Sequence, residues 1–234
     1  MKTYLTVLVT LLVFSTPSFS AAASGQRGPY FSGFLGTTIF KDINATNNDF
    51  QYATSFRENI ELNPGLYAGG TGGYDFGFVR LEGEFSFRAA EIDTITSQTN
   101  SYRIQNVDGN VGALSSMVNV FFDLHNNSRF TPYLGGGIGV ATLYISDTYG
   151  YVTKRNSTYY QSLYWKSDDT VFAYQLGGGV DIVLNKRFSL DVGYRYFKTN
   201  EAHFDSDYWN YTTSGSSRMR FESHNATVGF RMKF

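Results

Sequence analysis

The sequence predicts an all-β protein: one eight-stranded antiparallel transmembrane β-barrel with short periplasmic turns and long extracellular loops. Three observations predict it. The 234 residues include 21 Phe, 18 Tyr and 24 Gly but only 4 Pro, a composition that suits strands with close backbone approaches. Eight segments alternate apolar and polar residues one by one, the period of a strand. The links between those segments are alternately short and long, as in outer-membrane barrels.

The chain begins with Lys2, an apolar run YLTVLVTLLVF (4–14) and a small-residue stretch STPSFSAAAS (15–24). That order is a secretory signal peptide, with cleavage expected after Ser20 or Ala23. Residues 1–23 are therefore assigned to the signal and 24–234 to the barrel domain. The apolar run is shorter than the roughly 20 residues a spanning helix needs. No later segment comes closer, so strands must do any crossing, and only a closed barrel lets them.

The eight segments are 29–40, 65–76, 77–89, 109–124, 131–146, 169–184, 188–199 and 218–234. The second and third, fourth and fifth, and sixth and seventh are joined by tight turns. Stretches 41–64, 90–108, 147–168 and 200–217 are expected to be long polar loops. The last ten residues, NATVGFRMKF (225–234), show the alternation well. Ala226, Val228, Phe230, Met232 and Phe234 form one face; Asn225, Thr227, Gly229, Arg231 and Lys233 form the other. The seventh segment sets Phe188, Leu190, Val192, Tyr194 and Tyr196 against Ser189, Asp191, Gly193 and Arg195.

A soluble barrel would turn the apolar faces inward. Export, apolar faces long enough for tilted strands to cross hydrocarbon, and polar faces rich in Gly, Ser and Asn argue for the opposite sense. Aromatics near the ends of those faces argue the same way. The terminal strand is then expected to close the sheet onto the first, leaving no open edge.

In TPYLGGGIGVA (131–141), FAYQLGGGVDIVL (172–184), FSLDVGYRYF (188–197) and VGFRMKF (228–234) the sequence resembles the small eight-stranded outer-membrane barrels: the OmpA transmembrane domain and the opacity-protein-like surface antigens. The resemblance covers about residues 29–234. It implies the bacterial outer membrane, contact with membrane lipid and lipopolysaccharide, and a non-enzymatic surface role in envelope integrity, adhesion or antigenicity. It also implies that Phe230, Met232 and Phe234 present the signal read by the barrel-assembly machinery. The peptidoglycan-binding domain that follows the barrel in full-length OmpA is not seen in this sequence, so a cell-wall-tethering role is not expected.

Composition narrows the chemistry. A formal charge of −1 gives no basic field for nucleic acid, and the absence of Cys removes thiol catalysis and Cys-ligated metals. The three His do not share metal-ligand spacing; no metal or cofactor is expected. By alternation Arg80, Glu82, Glu84, Arg88, Asp181, Asp191, Arg195 and Arg231 point inward. An interior of eight strands is just wide enough for side chains to fill, so these charges are expected to plug the lumen; a narrow ion path is the alternative. The glycine runs 135–137 and 177–179 lack the helix and the Lys-Ser/Thr of a phosphate loop and are expected to make room for large inward side chains.

A second alternative is a lipid A-modifying hydrolase. Lipid A deacylases resemble this fold and carry His-x-Ser with a nearby Glu. Here Glu222 and His224 share a face, Ser223 takes the other, and no Ser follows His224 at that spacing. Recognition is expected in the loops. Tyr159, Tyr160, Trp165, Tyr208 and Trp209 offer rigid amphipathic area for a host surface, an envelope protein or lipopolysaccharide sugars.

Overall fold

The structure, a computed structural model, describes residues 27–49, 54–98, 103–124, 128–154, 157–207 and 214–234. The signal peptide lies outside these residues, as do Tyr208 and Trp209. No helix occurs among the described residues.

Fifteen strands are described: β1 (Gly28–Phe40), β2 (Ile43–Asp49), β3 (Thr54–Leu62), β4 (Gly65–Asp75), β5 (Val79–Ser97), β6 (Arg103–Gln105), β7 (Asn110–Asp123), β8 (Phe130–Ile145), β9 (Thr148–Lys154), β10 (Ser157–Tyr164), β11 (Ser167–Val183), β12 (Phe188–Thr199), β13 (Ala202–Asp207), β14 (Ser214–Met219) and β15 (Glu222–Lys233). Eight of them close a ring of antiparallel pairs: β1–β4–β5–β7–β8–β11–β12–β15, with β15 back on β1. The closing seam runs from Tyr30↔Lys233 to Phe40↔Ser223. Pairing on both sides of every ring strand satisfies the backbone without an edge, as a chain surrounded by lipid requires.

The turns at one end are short. In the β4–β5 turn Gly77 adopts φ +103°, a conformation that glycine reaches without a Cβ clash, and its N–H donates to Asp75 Oδ1 at 2.7 Å. The opposite end corrects the sequence reading. The stretches expected to be long loops are largely strands that lengthen the wall into a crown. β2, β3, β13 and β14 pair in the order β13–β14–β2–β3, and β3 pairs with the upper part of β5. β6 adds to β5, and β9–β10 form a separate hairpin. The third segment accordingly reaches Ser97. The eighth divides, with β14 ending at Met219 and β15 beginning at Glu222.

The reason lies in the pattern. Along β2, Ile43, Ala45 and Asn47 are buried while Asn44 is exposed. That is a strand alternation whose apolar side faces in, the reverse of a lipid-facing one, and a search for outward apolar faces passes over it.

Outward residues of the ring form the expected apolar band. Leu35, Leu81, Phe85, Val118, Leu134, Ile138, Leu176, Val192, Val228 and Phe230 are exposed. Leu190 and Met232 are half-buried on the same face.

Candidate functional site

All eight inward charges named from the sequence are buried. They do not form one cluster. At the short-turn end Arg80 bonds Asp123 (Nε to Oδ2, 2.8 Å) and Glu82 (3.4 Å), while Tyr30 donates to Glu82 at 2.6 Å. Arg231 bridges Asp181 at 3.1 Å and Asp191 at 3.5 Å, and Tyr133 donates to Asp191 at 2.9 Å. Lys233 reaches Asp75 at 2.8 Å. Midway up, Glu84 receives Arg195 (2.9 Å), Asn119 (2.9 Å), Gln175 (2.8 Å) and Tyr67 (2.9 Å). Four donors on one buried carboxylate are the compensation a desolvated charge requires.

Arg88 marks the top of this network. Its guanidinium lies 3.6 Å from the centroid of Phe197 and 4.6 Å from that of Tyr67. It donates to Ser115 and Ser86 at 3.4 and 3.5 Å. The glycine runs do give up space. A Cβ at Gly179 would come within 2.6 Å of the Tyr133 hydroxyl, and one at Gly193 within 2.8 Å of it.

Above Arg88 the interior turns apolar. Val111 and Ala113 of β7, Ala141, Leu143 and Ile145 of β8, and Ala90 and Ile92 of β5 pack with Phe197. Phe40, Ile43, Ile60, Ala202, Phe204, Met219 and Phe221 continue the cluster into the crown. The lumen thus carries an ion-pair layer below and a hydrophobic plug above.

A polar knot fixes the hairpin to this core. Glu58 of β3 accepts from Asn47 at 2.7 Å and from Tyr164 of β10, and Ser217 of β14 donates to Asn47 Oδ1. All four residues are buried. The Lys166 N–H donates to Asp147 at 2.8 Å across the hairpin base. On the hairpin itself, Tyr149 and Tyr160 stack with centroids 5.7 Å apart and an interplanar angle of 16°, and Tyr151 leans on Tyr160 at 4.9 Å. Tyr151, Tyr160 and Trp165 are exposed. Desolvation raises the Tyr160 hydroxyl above its ordinary value, and Asp108, Tyr151 and Tyr149 add to the shift. A phenol is a donor as well as an acceptor. Tyr159 sits on β10 opposite Val152; its side chain lies outside the described residues.

The Glu222–Ser223–His224 stretch does not assemble as a catalytic group. His224 Nδ1 shares a 2.6 Å hydrogen bond with the Tyr194 hydroxyl on the exposed outer wall. Ser223 is buried on the inner side against Asn225. Glu222 is held between Lys41 and Lys198, each at 3.2 Å.

Residues 6–234 match the family described as the outer membrane protein beta-barrel domain. The chain belongs to that family. Outer membrane protein PagN of Salmonella typhimurium is 28% identical over 223 residues, 89% of each chain. Among solved structures, the outer membrane protein OprG of Pseudomonas aeruginosa superposes with a TM-score of 0.59 at 16% identity, covering 88% of this chain and 96% of that one. The outer membrane protease OmpT of Escherichia coli gives 0.52 at 8% identity, over 91% and 99%. At such identities these two establish the fold alone.

As a member of the outer membrane protein beta-barrel family, the protein is a bacterial outer-membrane protein. Its apolar band, from Phe31 and Phe230 near the short turns to Leu66 and Ile39 near the crown, is the surface that lipid covers. The terminal aromatics lie on this band: Phe234 meets Phe31 edge-on at 5.9 Å, and Phe230 stacks on Phe188 at 5.2 Å. Several network members escaped the sequence reading. Asp75, Asp123, Tyr30 and Tyr67 all face inward, and extending each strand's alternation to its ends would have found them. Glu58 and the crown part of the plug, Ile43, Ile60, Ala202 and Phe204, had no such signal, because their segments were read as loops, whereas Val111, Leu143 and Phe197 stand in segments read as strands.

Proposed function

We propose that the protein is a non-enzymatic surface protein that acts through its crown, in adhesion or envelope integrity. The observation that carries this reading is the filled interior: an ion-pair layer beneath a plug of Leu143, Phe197 and Phe221. A lumen so packed offers neither a water-lined path nor a substrate pocket. The side chains left accessible on the outer side belong to the crown. The Tyr149–Tyr160–Tyr151 ladder and Trp165 supply aromatic area of the kind that binding surfaces use.

The hydrolase alternative lacks support, because Ser223 and His224 lie on opposite sides of the wall. The test separates the three classes. Tyr151→Ser with Tyr160→Ser, or excision of residues 150–166, is expected to reduce cell attachment or detergent resistance while the barrel still migrates as a folded, heat-modifiable species. Unchanged attachment and detergent resistance in both variants would count against the crown. Reproducible nanosiemens openings in planar bilayers would favour a channel, and altered lipid A acylation that depends on His224 would favour the hydrolase.

A further inference from the structure

One face of the crown gathers cations in register. His203 pairs with Arg218, Arg218 with Thr46, and Thr46 with Arg57. The row therefore crosses β13, β14, β2 and β3. His203, Arg218 and Arg57 are exposed, and so is Arg220, two residues along the same face from Arg218. Adjacent strands lie about 4.8 Å apart, so the Arg57 and Arg218 backbones flank Thr46 at a separation of roughly 10 Å. Thr46 and the exposed Asn44 are short, leaving a floor between guanidinium walls. Arg103 stands further round, tied to Glu61 at 3.8 Å.

Carboxylates stand on this side too: Glu91 and Asp93 of β5 are exposed beside β3, and Glu61 of β3 is held by Arg103. Asp108, Asp147 and Asp168 are exposed on the β7, β8 and β11 side, with Lys166 among them. Nearer the arginines, the turns below carry the exposed Asp42 and Glu201, and Asp205 pairs with Ser216 one row higher. Among the described residues no ion pair joins Arg218 or Arg220 to any of these.

The row also stands at a defined height. The Lys41–Glu222–Lys198 cluster stands at the upper limit of the apolar band. Five residues further along a strand tilted by about 40°, at about 3.3 Å each, lift the Thr46 row roughly 12 Å above it. That is the layer of phosphorylated sugars of an outer-leaflet glycolipid. Guanidinium forks bind phosphate oxygens in bidentate fashion, and hydroxyl and amide floors add donors.

We propose that Arg57, Arg218 and Arg220, over a floor of Thr46 and Asn44, form a cradle for the phosphate groups of lipopolysaccharide in the surrounding leaflet. The inference rests on the crown facing the cell exterior, as the proposed function requires. The cradle would anchor a collar of glycolipid on the β14–β2–β3 side and leave the tyrosine hairpin, on a separate β9–β10 unit, free of it.

The test uses the full barrel refolded in detergent, titrated with lipopolysaccharide and with the same lipopolysaccharide after chemical dephosphorylation. Binding to the phosphorylated form should be stronger and should weaken with salt. Arg57→Gln, Arg218→Gln and Arg220→Gln together should lower its affinity by about tenfold or more. A triple lysine variant should fall between the two, keeping charge but losing the forks. All three side chains are exposed, so heat-modifiable migration should be unaltered, and Lys166→Gln serves as the control across the crown. Equal affinity for both lipid forms, or an unaltered triple variant, overturns the proposal. So does a triple variant that loses a soluble sulfated polysaccharide and retains the lipid. Asn44→Cys labelled on intact cells with a membrane-impermeant maleimide distinguishes the two levels. Absence of labelling sinks the surface reading itself; labelling with unaltered lipid binding sinks only the cradle.

Discussion

Two regions of one continuous wall follow opposite rules. In the ring below Arg88, charged and polar residues point inward and aliphatics outward. In the crown above it, Ile43, Ile60, Phe204 and Phe221 point inward while Asn44, Arg57 and Arg218 point outward. The β5 strand passes through both. Arg80, Glu82, Glu84 and Arg88 of its lower part are buried, Ala90 and Ile92 of its upper part are buried, and the exposed side changes from Leu81, Phe85 and Phe87 to Glu91 and Asp93. The strand itself runs on, with an irregularity at Asp93 where its partners change from β4 and β7 to β3 and β6, so what inverts is the solvent and not the architecture. The rule that apolar atoms leave water holds throughout. Below, lipid satisfies it from outside; above, the core does.

Substitutions at four positions, one for each side of each region, can break or sharpen this comparison. The largest effect is expected at the lower interior. Glu84→Gln leaves Arg195 without its buried counter-charge and should lower stability by about 3–5 kcal/mol, read as a shift in the urea midpoint of the barrel in lipid vesicles. A shift under a quarter of that would mean that water reaches the ion layer. At the upper interior, Phe221→Ala removes a fully buried ring and should cost about 3 kcal/mol or more. There the loss should appear first as protease sensitivity of the crown, with the ring still folded.

Outside the lower region, Ile138→Arg places a cation near the middle of the apolar band. It should cost about 2–4 kcal/mol, measured by the same unfolding assay; tolerance would show that lipid does not cover that face. Outside the upper region, Asn44→Lys should change stability by no more than about 0.5 kcal/mol. A large loss there would place the crown's outer face in an apolar environment and undo the contrast. The four outcomes together measure where along the wall the inversion falls.

The ring was legible in the sequence, and the crown was not. The lower strands alternate large apolar with charged or very small residues, as in Phe188–Tyr196, which is the period of a strand with one apolar face. The inward position of Arg195 and Asp191 follows directly from it. The crown strands are short, and they alternate Ile, Ala and Phe with Asn, Thr and Arg in the reverse sense. Glu58 and Asn47 even place polar groups inside. Such segments resemble polar loops until the pairing partners are known, and some of those partners, such as Arg218 for Thr46, are distant in the chain. For the same reason the arginine row could not be read in advance, since Arg57 comes from a stretch read as a loop, Arg218 and Arg220 from the start of the terminal segment, and only β2 brings them side by side. Of the aromatic residues proposed for recognition, Tyr160 and Trp165 are exposed, and the ladder adds Tyr149 and Tyr151, which stand in the same stretch of sequence.

The passage of β5 from one regime to the other works like the draught mark on a hull. Sinking the molecule by one turn of pleat would drag Glu91 and Asp93 into acyl chains; raising it would strip lipid from Phe87 and Leu66. Its depth of immersion is thereby set by the protein's own side chains, and whatever the crown grips is gripped at a constant height above the cell.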